Sequence, residues 1–359
     1  MAQGLKRDKV LAVCGITKNQ FYHKPNGGKP GQKPSKFTLQ KVNGEVVKRS
    51  NQFVKDHIKV LFENPLTDYG YHRTTGALQL DGFYINHKKV YRLMKEARLL
   101  HAPVRKVSKE YVKYRIVCPE GPLRLMEMDI KQVWLEGLRR YAYVLTILDV
   151  FTRVVLYWEV GFSMKQEQVQ SAWQQIIERH LEPASVLAWE LHIEIRSDNG
   201  PQFSAEKLRK FLSENYFAQT FTHPYTPQEN GHIESFHSIL AKALSGEYFG
   251  NLEDLTTWLK SFYLNYNYER VHGSTLNLPP MTFWHLWNQN KIIRTVISEK
   301  ERKVHFALTL PRQDIAKVRP AGNESQREVS SLNLRGFDAP SNSNYVQTDG
   351  PVLIAEPAV

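Results

Sequence analysis

Three acidic side chains stand where the sequence could use them for chemistry. Asp129 lies inside the alternating segment RLMEMDIKQVW, Asp198 follows the apolar segment LHIEIRS, and Glu234 lies in HPYTPQENGHIESFHSIL. There are 68 residues between the first two acids and 35 between the last two. A single Asp or Glu is usually a surface residue, but an acid inside an apolar strand faces either the core, which penalises its charge, or a cleft. The placement of these acids favours a cleft.

Converging carboxylates suit hard divalent metal ions. Mg²⁺ prefers oxygen ligands and retains waters and substrate phosphates, so acids without dedicated nitrogen ligands favour a phosphodiester substrate. Two such ions, about 4 Å apart, activate an attacking oxygen and stabilise a leaving one, and the protein then needs no nucleophile of its own. Glu127, two residues before Asp129, is a minor rival for the first position.

Glu229 competes with Glu234 for the last position. The two acids are five residues apart, so on one helix they point roughly 140° away from each other and cannot both reach one metal. Glu234 lies beside the apolar stripe of the expected helix, which consists of Ile233, Phe236, Leu240 and Leu244. We predict that Glu234 is the ligand and that Glu229 is a helix-start acid favoured by the helix dipole.

An α/β unit is predicted to bring these acids together. From about Leu123 the pattern indicates three strands, a helix, a strand, a helix, a strand and a helix, which make a five-stranded mixed sheet. Sites in such sheets tend to lie where strand ends meet. Asp149 and Arg153, in LDVFTR, are predicted to hold the short turn at Thr152.

The front of the chain is strongly basic. Residues 1–113 hold 23 Lys and Arg against 8 Asp and Glu, a net charge of +15, which leaves −3 for the rest of a chain whose total is +12. This distribution is expected when one part of a protein binds a polyanion such as nucleic acid and another part holds metal-binding carboxylates. Charge alone, however, favours a soluble basic protein without such a partner equally. The two cysteines, Cys14 and Cys118, are too few for a disulfide framework or a cysteine zinc site, and we expect both to be buried.

The basic part is predicted to be helical. Thr17 and Gln20 have capping-box spacing, residues 24–36 form a basic Gly- and Pro-rich linker, and a helix is predicted from about Val46 to Leu61. Asn86 can cap a further helix with an apolar face of Val90, Leu93, Met94 and Ala97. Its other faces carry Lys88, Lys89, Arg92 and Lys95. This pattern fits the second helix of a helix-turn-helix or, equally, a solvated basic helix.

Several motifs together resemble the integrase catalytic core shared by retroviral integrases and bacterial insertion-sequence transposases. They are SDNGPQF, TPQENGHIESF, YNYERVHGSTLNLPP and the 35-residue gap from Asp198 to Glu234. The upstream segment YGYHRTTGALQ…INHKKVYRLMKEARLL narrows the resemblance to the second-frame transposases of the insertion-sequence-three family. The resemblance spans roughly residues 69–280. It implies an RNase H-like fold in which Asp129, Asp198 and Glu234 bind two Mg²⁺ or Mn²⁺ ions.

The resemblance also carries the DNA contacts and the reaction. Asn199 matches the turn after the second acid, and Gln228 and Asn230 match the flexible segment that approaches the DNA end in relatives; all three are expected to contact DNA. Lys131 stands where relatives have Thr or Ser and is either a phosphate contact or a solvated edge lysine. The implied activity is cleavage and strand transfer at insertion-sequence ends by direct transesterification. The alternatives are an inactive transposase-derived DNA-binding protein and an RNase H-like nuclease that cuts without joining.

The resemblance further implies double-stranded DNA as partner, a homo-oligomer on two DNA ends and an upstream-frame transposase subunit. We predict four parts: a helical segment with linker at 1–45, a helix-turn-helix region at 46–113, the catalytic core at 121–290 and a partly disordered extension at 291–359. No apolar run of about 18 residues and no signal-peptide core exist, which predicts a soluble intracellular protein. The resemblance implies that this is a bacterial cytoplasm and that the protein is associated with the nucleoid.

Overall fold

The computed structural model describes residues 4, 6–23, 34–64, 67, 69–102, 117–187, 193–223, 227–298 and 303–319. These residues divide into two compact units, one that ends at residue 37 and one that begins at residue 38. None of the helices within these described ranges has both the length and the apolar character that crossing a bilayer requires.

The N-terminal unit contains two short helices, α1 (Arg7–Val13) and α2 (Lys18–Tyr22). The predicted capping box is confirmed, because Thr17 and Gln20 each accept a hydrogen bond from the other's backbone N–H. The prediction that both cysteines are buried is wrong, since Cys14 is exposed and Cys118 half-buried. Cys14 follows a helix that buries only Leu11. Most of the predicted linker, residues 24–33, lies outside the described residues.

A β-hairpin comes next, and a helical region with a helix-turn-helix follows it. The elements of this part of the chain, in order, are β1 (Phe37–Val42), β2 (Glu45–Ser50), α3 (Asn51–Glu63), α4 (Tyr71–Leu80), β3 (Phe83–Tyr84) and α5 (His87–Glu96). The strands form one small sheet in the order β2-β1-β3. As predicted, the Asn86 side chain caps α5 by accepting the Lys89 N–H at 2.9 Å.

The hairpin corrects the expectation of an all-helical region with a helix from about Val46. That helix begins at Asn51, after Ser50 has capped it by accepting the Phe53 N–H. Asn43 and Gly44 have φ values of 50° and 88°, which are the left-handed conformations that a tight Asn-Gly hairpin turn requires. The Asn-Gly pair therefore outweighs the helical pattern of the residues after it.

The region predicted to be the catalytic core is built on a five-stranded mixed sheet. Its strands are β4 (Leu125–Leu135), β5 (Arg140–Asp149), β6 (Val155–Gly161), β7 (Ile193–Ser197) and β8 (Phe217–Phe221). Their order is β6-β5-β4-β7-β8, with β5 antiparallel to both β4 and β6, and β7 parallel to both β4 and β8. This arrangement confirms the predicted RNase H-like fold.

Helices cover both faces of this sheet. One face packs on α6 (Gln166–Ile176), α7 (Pro201–Ser204) and α8 (Glu206–Glu214), and the other on α9 (Gly231–Leu244) and α10 (Leu252–Tyr268). The alternation of β4 decides which residues face which layer. Met126 and Met128 belong to the first core, whereas Val133 and Leu135 belong to the second. By that period of two, Glu127 and Asp129 face α9 and α10.

The turn at Thr152 is held as predicted. Asp149 is fully buried and accepts the backbone N–H groups of Leu123 (2.9 Å) and Thr152 (2.7 Å) as well as the Thr152 hydroxyl. Arg153 takes a positive φ of 67° immediately afterwards. The acid therefore closes the hairpin between β5 and β6.

The helix-turn-helix region packs directly on the core. Tyr69, Ala77 and Leu80 share one hydrophobic cluster with core residues that include Phe151, Val271, Leu278 and Phe283. The Val271 N–H donates to the Tyr69 hydroxyl at 3.0 Å.

The described part of the C-terminal extension is ordered. After α11 (Pro280–Asn288) come β9 (Ile292–Ser298) and β10 (Lys303–Leu308), which form an antiparallel hairpin. Ile292 and Ile315 belong to the same cluster as Tyr69. This segment therefore helps to cover the contact between the helix-turn-helix region and the core. The predicted disordered arm falls mainly on residues 320–359, outside the described residues.

Candidate active site

Asp129 and Asp198 lie side by side at one region of the sheet. The parallel strands β4 and β7 place Leu125 opposite Glu194 and Glu127 opposite Arg196. Two residues further along each strand come Asp129, inside β4, and Asp198, immediately after β7. The register therefore brings the first two predicted acids together.

The charge of Asp129 acts on the carboxyl group of Asp198. Partial burial raises the pKa of Asp198, and the nearby negative charge of Asp129 raises it further. The Gly200 N–H donates to Asp198 Oδ1 at 2.9 Å and opposes this rise. A cation between the two carboxylates would relieve their repulsion.

Glu234 lies in the first turn of α9 and is exposed. His237, three residues later, places its Nδ1 atom 3.2 Å from Asp129 Oδ2. Residues three apart on a helix differ by about 60° in direction. The side of α9 that contacts Asp129 is therefore next to the side that carries Glu234.

Glu127 is completely buried on the same face of β4 as Asp129. Its Oε2 atom accepts the backbone N–H groups of His232 at 3.0 Å and Ile233 at 2.7 Å. Burial raises the pKa of Glu127 to about 7, against the opposing effects of these N–H groups and of the Arg153 and Arg196 charges. Burial also lowers the pKa of His232, to about 3.

Glu229 is engaged elsewhere. It lies in a turn of 3-10 helix, Pro227–Asn230, just before α9. Its carboxylate accepts the His223 N–H at 2.9 Å and lies 3.0 Å from His223 Nδ1. Its carbonyl accepts a hydrogen bond from the buried Arg196 guanidinium. These contacts fit the predicted non-ligand role of Glu229.

The predicted DNA-contacting residues differ in exposure. On α5, Lys88 and Lys95 are exposed, whereas Lys89 and Arg92 are half-buried. The Nε atom of Arg92 lies 3.7 Å from Glu96 Oε1. Burial lowers the pKa of Lys89.

The residues predicted to lie near the DNA end also differ in placement. Lys131 is half-buried on the Asp129 face of β4. Asn199 is exposed and donates to the Thr222 carbonyl, but Asn230 is buried, which does not favour a DNA contact. The side chain of Gln228 lies outside the described residues.

The donor set fits a hard divalent cation. Asp129 and Asp198 offer carboxylate oxygens at neighbouring positions, and their mutual repulsion is what a metal ion offsets. Glu234, the predicted third carboxylate, is exposed in the first turn of α9. In the described ranges, however, no three His, Cys, Asp or Glu side chains are gathered closely enough to hold a metal ion.

Two residues of this site were missed as contributors by sequence reasoning. Glu127 was considered only as a rival of Asp129, although its position two residues away on the same face indicated a shared layer. His237 carries a weaker signal, its spacing of three from Glu234 on one helix.

Family models match two regions of the chain, both within the second compact unit. The model described as an integrase core domain matches residues 119–227, and a second model of that description matches 217–280. A model described as an HTH-like domain matches residues 48–107. The hairpin β1–β2 begins before that match.

Curated relatives include proteins of bacterial insertion elements. A protein of insertion element IS476 from Xanthomonas euvesicatoria is 26% identical over 60% of this chain and 60% of its own length. The transposase InsF for insertion sequence IS3A from Escherichia coli is 23% identical over 60% of this chain and 76% of its own length. The chain thus spans somewhat less than two thirds of the first relative.

Solved structures include the HTLV-2 integrase catalytic core domain in complex with magnesium, in a dimeric form. It is 19% identical over 43% of this chain and 93% of its own length, with a TM-score of 0.32.

Proposed function

Because the chain carries an integrase core domain behind an HTH-like domain, we propose that it is a DDE-type transposase, which cuts DNA at insertion-sequence ends and joins them to target DNA. The observation that carries the proposal is the meeting of Asp129 and Asp198 at adjacent strands, with the first turn of α9 alongside. That turn presents the exposed Glu234.

Asp129, Asp198 and Glu234 would hold two magnesium or manganese ions. When bound, these ions supply activation of the attacking oxygen and stabilisation of the leaving oxygen. The chain itself supplies the framework: β4 and β7 fix two acids, α9 fixes the third, and the Gly200 N–H orients Asp198. Lys131 and Asn199 would contact phosphates of the DNA end.

The proposed reaction has two displacements at phosphorus. Water first attacks a phosphodiester at the element end, and the broken bond leaves a 3′-hydroxyl. That hydroxyl then attacks a phosphodiester of the target, so one phosphorus–oxygen bond forms for each that breaks. The protein forms no covalent bond to DNA in either step.

The remaining partners follow from this substrate. Helix α5, with Lys88, Lys89, Arg92 and Lys95, would enter the major groove of the element end. Joining two ends requires at least two copies of the chain on DNA, and an upstream-frame subunit would add further DNA contacts. A protein acting on bacterial element DNA works in the cytoplasm, on the nucleoid.

The decisive experiment incubates the full chain with end-labelled duplex DNA carrying the element end, in Mg²⁺ or Mn²⁺. Nicked and joined products from the wild type are expected, with loss of both for Glu234→Gln. Glu229→Gln is the matched control, because it makes the same chemical change five residues earlier, and it should retain activity within a few-fold.

Each other outcome identifies an alternative. Nicks without joined products indicate a nuclease, whereas DNA binding without any product indicates a DNA-binding protein. Full activity of Glu234→Gln would remove Glu234 from the site.

A further inference from the structure

Helix α9 has an unusual N-terminus. The first N–H groups of a helix lack partners within the helix, and an Asn at the N-cap position usually satisfies the second or third of them with its side chain. In α9 the N-cap residue is Asn230, and its side chain makes no such bond.

Glu127 makes these bonds instead, from a different element. The second and third residues of α9 are His232 and Ile233, and both N–H groups donate to the same Glu127 carboxylate oxygen. More than a hundred residues of sequence separate this acid from the helix that it caps. Strand β4 is thereby attached directly to the start of α9.

This attachment lies next to the proposed reaction centre on both elements. On β4, Glu127 is two residues from Asp129 and shares its face; on α9, Ile233 immediately precedes Glu234. The Asp129–His237 contact holds the same two elements together one turn further on. Glu234 thus lies between two links that join α9 to β4.

Glu127 is badly placed to be a metal ligand itself. It has no exposed surface, and the oxygen that points to α9 is occupied by two N–H groups. An acceptor oxygen suits this contact, since the start of a helix carries a partial positive charge.

We propose that Glu127 is a positioning residue that sets the place of Glu234 relative to Asp129 by capping α9 from β4. The inference rests on the proposed function for its catalytic consequence, but the cap itself is independent of that function.

The test compares three substitutions at one position. Gln keeps the length and an acceptor oxygen, Asp keeps the charge but is one methylene shorter, and Ala removes the acceptor. Amide hydrogen exchange of residues 231–235 should be close to wild type in Glu127→Gln and at least tenfold faster in Glu127→Asp and Glu127→Ala.

Cleavage kinetics provide the second readout, with Mn²⁺ and element-end DNA. We expect kcat to fall at least tenfold in Glu127→Asp and Glu127→Ala while KM for DNA stays within twofold, and Glu127→Gln should restore most of kcat. Gln175→Ala is the matched control. It removes a half-buried hydrogen bond on the opposite face of the same sheet, where Gln175 of α6 donates to the Tyr157 hydroxyl of β6 at 3.2 Å. Exchange at 231–235 and kcat should both stay near wild type.

Two outcomes would overturn the proposal. Wild-type exchange at 231–235 in Glu127→Asp and Glu127→Ala would show that the cap does not hold α9. A Glu127→Gln variant with normal exchange but no cleavage would show that the carboxylate acts directly. If Glu127→Ala fails to fold, the comparison of Glu127→Asp with Glu127→Gln still decides whether the cap holds α9. An inactive wild type would contradict the proposed function but would leave the exchange result valid.

Discussion

At the scale of single residues, the proposed chemistry requires two carboxylates to stay close in spite of their repulsion. We predict that Asp129→Asn lowers the pKa of Asp198 in metal-free protein, because it removes the like charge that helps to raise that pKa. Carboxyl NMR titration measures this shift. An unchanged Asp198 pKa would contradict the shared site.

The same variant should lose its response to metal. Mg²⁺ is expected to raise the melting temperature of the wild type, because a ligand that binds only the folded state stabilises it, but not that of Asp129→Asn. Loss of a ligand worth several kcal/mol predicts a fall in cleavage rate of about 10³-fold. Lys210→Ala, at an exposed position on α8, is the control and should respond to Mg²⁺ normally.

His180 gives a prediction for stability at a residue outside the site. Burial lowers its pKa from 6.5 to about 4. The unfolded chain therefore takes up a proton at a higher pH than the folded chain does, so the folded state loses stability as the pH falls from about 6.5 to 4. Between pH 7 and 5 the His180 contribution is about 2 kcal/mol.

Urea unfolding at both pH values, for wild type and His180→Gln, isolates this contribution. His232 acts in the same direction, since its pKa is lowered to about 3, so the variant should lose only the share of His180. Identical pH dependence in the two proteins would show that His180 is not buried as a neutral group.

At the scale of elements, α5 is proposed to contact DNA through the two lysines that the fold leaves exposed. Each phosphate contact contributes about 0.9 to the slope of log affinity against log salt concentration. We predict that Lys88→Ala with Lys95→Ala lowers this slope by about 1.8. Fluorescence anisotropy with duplex DNA at several salt concentrations measures it. Lys210→Ala again serves as control, and an unchanged slope in the double variant would exclude α5 from the contact.

The sequence predicted elements well where one periodicity dominated. The alternation around Met126 and Met128 was sufficient to place β4, and spacing with Asn86 was sufficient to place α5. It failed where a local turn competed with a helical pattern, since Asn43 and Gly44 fold residues 45–50 back as a strand. Long-range contacts could not be predicted from the sequence, because nothing local in it indicates that Glu127 caps a helix more than a hundred residues away.

At the scale of the whole molecule, the helix-turn-helix region is fixed to the integrase core by close packing. Gly76, within α4, lies against Asn277 of the core, and a Cβ atom at position 76 would be 2.4 Å from the Asn277 Cβ. Asn277 follows Leu276, and both have positive φ values, 52° and 59°. A turn in that conformation has little freedom to move aside.

Because of this contact, the sign of the change in stability caused by Gly76→Ala is informative. In a helix free of the core, Ala in place of Gly would stabilise by about 1 kcal/mol. Against Asn277 the added methyl group should instead destabilise by about 1 to 3 kcal/mol, as overpacking does. Urea unfolding measures the difference, and Gly70→Ala is the control, because a Cβ at the N-cap of the same helix meets nothing within 4 Å.

If this packing contact transmits DNA binding to the acids of the proposed active site, Gly76→Ala should also cleave element-end DNA more slowly while binding it with wild-type affinity. A stabilised variant with normal cleavage would show that the two regions work without this packing.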